Sequence, residues 1–558
     1  MASSPAEAAL AARVKDPGYT PGIRDLGALL DLLREEDEDL ARAAERAVLR
    51  IEARHAARSI RETVTRARDA KRPARGRLAR LVGRLAASAP EEAAAEARAW
   101  LASALSDADP KTRHTAARAL AKLRPPSAEG RAVVERALLA AWDTSSSDED
   151  RRSLADALGR IGSSAARERL AGAREGSVGQ RATRATLMID RERGRATPGA
   201  IDASRAFGEP IALRFHTRAG LEAIVAEEIG DAWRPRVAGS GLVDARLEGP
   251  LSRATSVRTA IHVGFPLDPV PVRGETGTTD NLAEAIVRAI TDPRALAVMR
   301  AFTRTDGAKI RFRLAWTRSG HRRALAWRCA ELVSEATSEL VNDPTASTWE
   351  IVVDDHEDRV AIELVPRGMP DERFAYRKRT VPASSHPVIA AALARLVAPR
   401  EDDVVWDPFV GAGAELVERA RLGPYAALVG SDVEASAIEA ARANLADAGI
   451  AGATLEQGDA TSFRPQGVTT IITNPPMGRR VHRGTHAELL ERFVAHAASV
   501  LVPGGALVWA CPDARQGRLH ARAERAGLVL ERAFTVDMGG FPAELSVHRK
   551  PARGRAPL

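Results

Sequence analysis

Cysteine is nearly missing from this chain of 558 residues: only Cys329 and Cys511 occur, 182 residues apart and outside any CxxC or Cys/His cluster. That excludes a disulfide framework and a thiolate zinc site, no metal is expected, and both thiols read as small buried hydrophobes. Long apolar runs are missing too, since none approaches the roughly 18 residues that a membrane-crossing helix needs. Met1-Ala2-Ser3-Ser4-Pro5 lacks a basic stretch followed by an apolar core, so no secretory signal or membrane partner is expected and the cytoplasm is the expected location.

With 45% apolar and 28% charged residues the chain reads as globular. Its length implies three or four domains at roughly 150 residues each. A net charge of +8 favours a polyanionic partner. An arginine- and alanine-rich composition also follows from a GC-rich genome, so the distribution of charge matters more than its total.

The first two hundred residues repeat. Val48, Val82, Leu120 and Leu158, each followed three positions later by Ile51, Leu85, Leu123 and Ile161, recur at intervals of 34, 38 and 38. Helices of this apolar spacing, joined by turns such as 106–110 and 145–148, cannot bury their faces singly and must stack on neighbours. The unit 101–110, with Arg113, Ala116, Ala117 and Leu120 behind it, resembles HEAT repeats. That resemblance implies an α-solenoid over 1–175, a surface for a protein or nucleic-acid partner, or else a stabilising appendage. A Gly-, Arg- and Thr-rich linker is expected over 176–210.

Then the texture changes. Ile211 to Phe215 alternates like a strand, 220–229 reads as an amphipathic helix, and 308–314 alternates apolar with basic residues, a strand with a cationic outer face. Between Ala301 and Ala330 stand Arg304, Lys309, Arg311, Arg313, Arg318, Arg322, Arg323 and Arg328 against one acid, Asp306. Trp316 and Trp327 are interleaved with them, as either stacking platforms for bases or core residues. A hairpin is predicted from Trp349–Asp355 and 359–365. This order of elements resembles a THUMP domain with its ferredoxin-like leader, which implies an α+β RNA-binding region over 211–366. The family uses such modules to hold the 3′ end of the tRNA acceptor stem, and the basic residues from Arg304 to Arg323 are the expected RNA contacts.

A connecting segment and a helix, 388–396, are expected over 367–400. From 401 to 550 the pattern is strand, turn, helix repeated, an α/β doubly wound sheet, with a short tail at 551–558. Val404-Val405-Trp406 leads into Asp407-Pro408-Phe409-Val410-Gly411-Ala412-Gly413-Ala414, a strand, a glycine turn and a helix start. Asp407 stands where an acid accepts from the amino group of a methionyl ligand, and Gly411 and Gly413 let backbone approach it. Asp432, 25 residues on, suits ribose hydroxyls, and Asp459 suits an adenine amino group. Pro408, Phe409, Val433 and Ala460 complete this predicted set. The fourth strand, 469–473, delivers Asn474-Pro475-Pro476-Met477, 67 residues beyond Asp407. A dinucleotide-binding dehydrogenase competes, but the turn is G-A-G-A rather than G-x-G-x-x-G, and no dehydrogenase requires N-P-P there.

The two motifs together resemble the S-adenosylmethionine-dependent amino-methyltransferases of the Rossmann-type class I fold, whose second signature is N/D-P-P followed usually by an aromatic. The resemblance implies S-adenosylmethionine as cofactor. In the THUMP-bearing guanine methyltransferases a passage similar to 374–387 touches the methionyl end, which implies Ser385 and His386 as further cofactor contacts, although a histidine before a proline is also a helix cap. Asn474 Oδ1 and the Pro475 carbonyl are expected to accept the protons of an exocyclic amine, with prolines fixing the corner. Met477 replaces the aromatic of adenine-N6 enzymes, which favours guanine, and Phe541 is a candidate stacking surface or a loop-packing residue. Arg479, Arg480, His482 and Arg483 follow the motif, placed for phosphates.

The expected function is N2-methylation of guanosine in RNA, tRNA first and rRNA second. N6-adenine methylation of DNA and a catalytically silent RNA-binding scaffold are the alternatives; N-P-P also serves glutamine methylation in proteins, against which the basic module argues.

Overall fold

The computed structural model describes every residue except 1–4, 17, 72, 174, 197–198, 274–277, 306, 319–321, 357, 478–482, 512–516 and 553–558. Arg479, Arg480 and His482 therefore lie outside the described residues. The chain divides into two units, one of Met1–Pro198, Thr305–Phe312 and His321–Ala346, the other of Gly199–Arg304, Arg313–Gly320 and Ser347–Leu558.

In the first unit, helices Leu26–Leu32, Ala56–Asp69, Glu91–Ser103, Ala128–Thr144 and Ser164–Ala171 alternate with α1 (Glu38–Val48), α2 (Ala74–Ala86), α3 (Pro110–Lys122), α4 (Asp148–Ile161) and α5 (Gly176–Ala196). One apolar core runs through them from Leu10 to Ile189. The repeat positions Val48, Val82, Leu120 and Leu158 sit on α1 to α4, and each is fully buried. Helix starts are capped as their sequences dictate: Asp37, Asp109, Ser127, Ser147 and Ser163 accept N–H bonds of the first turn, each worth about 1 kcal/mol.

The expected linker is corrected. Residues 176–196 form a helix of 21 residues, because Val178, Ala182, Ala185 and Ile189 bury a face in the same core. Glycines and threonines lower its intrinsic propensity, and tertiary burial overrides that. The helix also overturns the cationic outer face predicted for 308–314. Arg311 is only 3% exposed and donates to the Gly194 carbonyl (2.9 Å), while Lys309 pairs with Asp190 of α5 (3.4 Å). Ile310–Phe312 pairs in parallel with Leu340–Asn342, and Arg195 of α5 reaches Asp343 beyond it (2.9 Å).

The second unit holds two sheets. Strands Arg236–Gly239, Leu242–Leu247, Ile211–His216, His262–Pro266, Arg359–Pro366 and Trp349–Asp355 are antiparallel neighbours in that order, so the predicted closing hairpin forms. Among the expected RNA contacts here, Arg304 and Arg318 are exposed and Arg313 is bonded to Glu350. Arg322 and Arg323 fall in the first unit, half-exposed and exposed.

The other sheet contains β1 (Val404–Asp407), β2 (Ala427–Asp432), β3 (Thr454–Gln457), β4 (Thr470–Thr473), β5 (Ala506–Cys511), β6 (Val529–Asp537) and β7 (Pro542–Arg549), in the order β3-β2-β1-β4-β5-β7-β6. The first five pair in parallel, and β7 runs antiparallel to β5 and β6. Cys511 is fully buried in β5, and Cys329 in the helix Arg323–Ala336, as their apolar reading requires. The connecting helix spans Pro387–Arg395 (α6); it is apolar all round up to Ala394, which suits the complete burial of those residues. Strand order reverses at β1, whose neighbours are β2 and β4, so a crevice for a ligand opens beyond their carboxyl ends.

The two sheets of this unit are tied by a buried charge network. Arg258 donates to Glu418 (2.8 Å) and to the Arg373 carbonyl (2.6 Å), and the Tyr376 hydroxyl donates to the same Glu418 (2.9 Å). Glu228 accepts from Arg258 N, Thr259 N and Arg395 (2.6–2.9 Å).

Candidate active site

Asp407 closes β1 and has no solvent exposure. One carboxylate oxygen accepts from Phe409 N (3.1 Å) and from Thr473 Oγ1 (2.6 Å), while Oδ2 is buried without a partner among the described residues. Burial, and then the charge of Glu415, push its pKa well above the usual carboxylate range. Thr473, at the end of β4, was not singled out by sequence, yet it fixes the carboxylate opposite the next residue, Asn474.

Asn474 Nδ2 donates to Ser385 Oγ (2.9 Å), and its Oδ1 is buried with no partner among the described residues. Ser385 Oγ in turn donates to Glu415 Oε1. Glu415 lies in the first turn of α7 (Ala414–Arg421), 3% exposed, and burial pushes its carboxyl up to about 6 against the lowering effect of the Ser385 bond. The corner 474–477 is thereby joined to the helix that follows the glycine turn. Sequence reading gave Ser385 a ligand contact and overlooked Glu415; the structure makes Ser385 the link between Asn474 and that acid. A glutamate directly after G-A-G-A was the available signal. Pro475 is buried, Pro476 and Met477 are half-exposed, and Met477 packs on the core beneath the sheet.

His386 caps α6: its Nδ1 accepts from Val388 N (3.3 Å). Burial, and then Arg218 and Arg377, lower its pKa to about 4, so the ring is neutral at pH 7. Arg377 donates to the Ser385 carbonyl (3.0 Å), and both Arg218 and Arg377 keep a buried Nε without a partner. Neither arginine was anticipated. The turn Gly539-Gly540-Phe541 is held by Asp537, which accepts from Gly539 N (3.0 Å) and Gly540 N (2.8 Å), and Arg218 lies 3.8 Å from the same Asp537.

The two glycines of the turn differ. A Cβ on Gly411 would meet nothing closer than 3.8 Å, so the backbone there is open to a ligand. A Cβ on Gly413 would lie 2.6 Å from Leu445 Cδ1, so this glycine serves packing against α8 (Ala435–Asp447) and a left-handed φ of 82°. Packing and backbone conformation thus give Gly413 a reason to be glycine that the sequence reading did not include. Phe409 N and Gly411 N are oriented by acids: Asp432 Oδ2 accepts from Gly411 N (3.0 Å) and its Oδ1 from Glu434 N (3.1 Å). Val433 beside it is 58% exposed, a large apolar side chain left uncovered at the carboxyl end of β2. Asp459 is exposed, and its Oδ1 accepts from Thr461 N and Oγ1 (both 2.7 Å), while Ala460 is buried.

Residues 375–541 match the RMKL-like methyltransferase domain family, and residues 98–188 match HEAT repeats. The tRNA (guanine(10)-N2)-dimethyltransferase of Methanothermobacter thermautotrophicus is 33% identical over 134 residues, 24% of this chain and 39% of the relative. The tRNA (guanine(6)-N2)-methyltransferase of Thermus thermophilus is 31% identical over 198 residues, 34% of this chain and 56% of the relative. The chain thus spans less than two thirds of either relative's length. The crystal structure of TrmN from Thermus thermophilus aligns over 61% of this chain and 99% of its own, with TM-score 0.48 and 23% identity. A methyltransferase domain of this kind implies S-adenosylmethionine, and the residues fit it. Asp407 Oδ2 is a buried acceptor in want of a donor such as an ammonium group, Gly411 leaves open space, and Asp432 with Val433 offers an acid beside an apolar side chain.

Proposed function

We propose that this chain transfers a methyl group from S-adenosylmethionine to the exocyclic N2 of guanosine in RNA, with tRNA the leading substrate and rRNA the second. The observation that carries the reading is the orphaned Asn474 Oδ1, a buried acceptor that nothing among the described residues satisfies, at the corner joined through Ser385 to the first turn after the glycines. Leaving such an atom unpaired costs about 1–3 kcal/mol, a cost that a bound amine would relieve. The named activities of the two tRNA relatives support guanine and tRNA.

The bound cofactor supplies an electrophilic sulfonium methyl. Asn474 Oδ1 and the Pro475 carbonyl would accept hydrogen bonds from the amine's two N–H groups, which draws the nitrogen lone pair out of conjugation with the base. The proton that the nitrogen sheds on methylation passes to solvent, since neither acceptor is a base. Ser385, donating to Glu415 while accepting from Asn474, fixes which end of the carboxamide faces the amine. Neutral His386 withholds positive charge from the corner. Asp407 and Asp432 hold the methionyl and ribose parts, with Asp459 toward the adenine. Met477 offers a thioether face for the base in place of an aromatic ring.

In this reading 1–196 is a HEAT-like array with α5 as its last helix, 211–366 a ferredoxin-like leader with a THUMP-like domain that engages RNA, 367–400 a connector, and 401–550 the catalytic domain of a cytoplasmic enzyme. The test is mass spectrometry of nucleosides from RNA incubated with protein and labelled cofactor. N2-methylguanosine is expected, recovery of N6-methyladenosine alone would refute guanine as the target, and absence of cofactor binding by calorimetry would leave only the scaffold.

A further inference from the structure

The register of the helical array carries a second regularity. Two positions before and two after Val48, Val82, Leu120 and Leu158 stand Arg46 and Arg50, Arg80 and Arg84, Arg118 and Lys122, and Asp156 and Arg160. All eight are exposed, and Asp156 is the one acid among them. Residues four apart share a helix face, so α2, α3 and α4 each present their pair on the side opposite the buried repeat position, while Arg50 lies just beyond the end of α1. α5 adds Arg181 and Arg184, three apart.

Close helix packing draws the rungs together. A Cβ on Gly83 would lie 2.7 Å from Ala119 Cβ, and one on Gly159 would lie 2.7 Å from Ala185 Cα. Glycine therefore lets α2 meet α3, and α4 meet α5, almost backbone to backbone, at or below the usual spacing of about 8–10 Å.

At its α3 to α5 end the ladder walls a cavity of about 740 Å³. Six cations line it, Arg118, Lys122, Arg160, Arg181, Arg184 and Arg323, against the single acid Asp156, with Trp327 among them. Asp156 pairs with Arg181 (3.1 Å), and Glu331 pairs with Arg184 (3.3 Å). Among the described residues, Lys122, Arg160 and Arg323 have no carboxylate partner. Trp327 is half-buried, with the Arg191 guanidinium 4.6 Å and the Arg184 guanidinium 5.7 Å from its ring centre, so the arginines are held in place rather than free to swing. Cations gathered this way repel one another, and a polyanion removes that cost.

We propose that this ladder is a second RNA-binding surface, gripping a sugar–phosphate backbone by charge and spacing without reading bases. Guanidinium groups suit phosphate oxygens bidentately; Arg80 and Arg84 are already paired with Glu45, so the grip centres on the cavity end. The choice of RNA over an acidic peptide rests in part on the catalytic reading above; the ladder itself does not.

The test is binding of a labelled tRNA transcript to the full chain, without cofactor, as a function of salt. The variant Arg118→Glu/Lys122→Glu/Arg160→Glu should weaken binding at least ~10-fold, and Arg118→Ala/Lys122→Ala/Arg160→Ala should make the log–log salt slope shallower by about two to three. All three side chains are exposed, so thermal unfolding should not change and a folding defect is separable. Unchanged affinity and slope in both variants would overturn the proposal, as would preferential binding of a polyglutamate peptide over the transcript. Because binding is read without cofactor, a wild-type protein that methylates nothing leaves this result standing.

Discussion

Asn474 donates from its amide nitrogen to Ser385 Oγ at 2.9 Å and keeps its carbonyl oxygen buried and unpaired among the described residues. The carboxamide is thus oriented by one end and left chemically unfinished at the other. Asn474→Ala should retain S-adenosylmethionine binding by calorimetry and lose about 100-fold or more in kcat. Turnover equal to the parent protein would remove this residue from the mechanism.

Ser385→Ala deletes the link between Asn474 and Glu415 without touching either. A carboxamide free to rotate misplaces its acceptor, so kcat should fall roughly 10- to 100-fold with little change in KM for RNA. Restoration by Ser385→Thr would show that the hydroxyl, rather than the volume, is what matters.

Glu415 gives a pH signature. Its folded-state pKa of about 6 lies above the ordinary 4.5, so between these values the folded protein binds more protons than the unfolded chain. Stability therefore falls as pH rises through roughly 4.5 to 6, by about 2 kcal/mol in all. Glu415→Gln should gain on the parent protein across that window in thermal unfolding; curves that stay parallel from pH 4 to 7 would exclude the assignment.

The two glycines of the turn should separate when each is changed to alanine. Gly413→Ala meets Leu445 at 2.6 Å in a left-handed backbone and should cost about 2–4 kcal/mol in urea unfolding. Gly411→Ala makes only ordinary contacts, with the Phe409 carbonyl and Val381 at 3.8 Å, so it should cost about 1 kcal/mol for its φ while weakening cofactor binding more strongly than Gly413→Ala does.

Arg258→Ala strands Glu418, whose side chain is 1% exposed. The loss should be about 3–5 kcal/mol, and it should be reduced in Arg258→Met/Glu418→Leu, where no buried charge remains. Equal losses in the single and double variants would mean that packing, not charge, joins the two sheets there.

Much of this was legible along the chain because the signals are local. The repeat at Val48, Val82, Leu120 and Leu158 is a helical periodicity, and all four positions are buried. The strand ends at Asp407, Asp432 and Asn474 follow from apolar runs broken by glycine and proline, so the parallel sheet and its crevice could be read in order. Residues 176–196 could not, since their glycines and threonines disfavour a helix until α4 supplies a surface to bury Ala182 and Ala185. The cationic strand at Lys309 to Arg313 failed for the same reason in reverse: alternation says which side chains share a face, but not what covers it, and α5 covers this one.

What the sequence by itself determined is therefore the set of elements and the residue types at their ends, because propensity, capping and hydrophobic period act within a few residues. What only the tertiary structure decided is which polar atoms are satisfied. Glu415 reaches Ser385 across 30 positions and Ser385 reaches Asn474 across 89. Burial, which no single segment encodes, leaves the last acceptor in that chain without a partner.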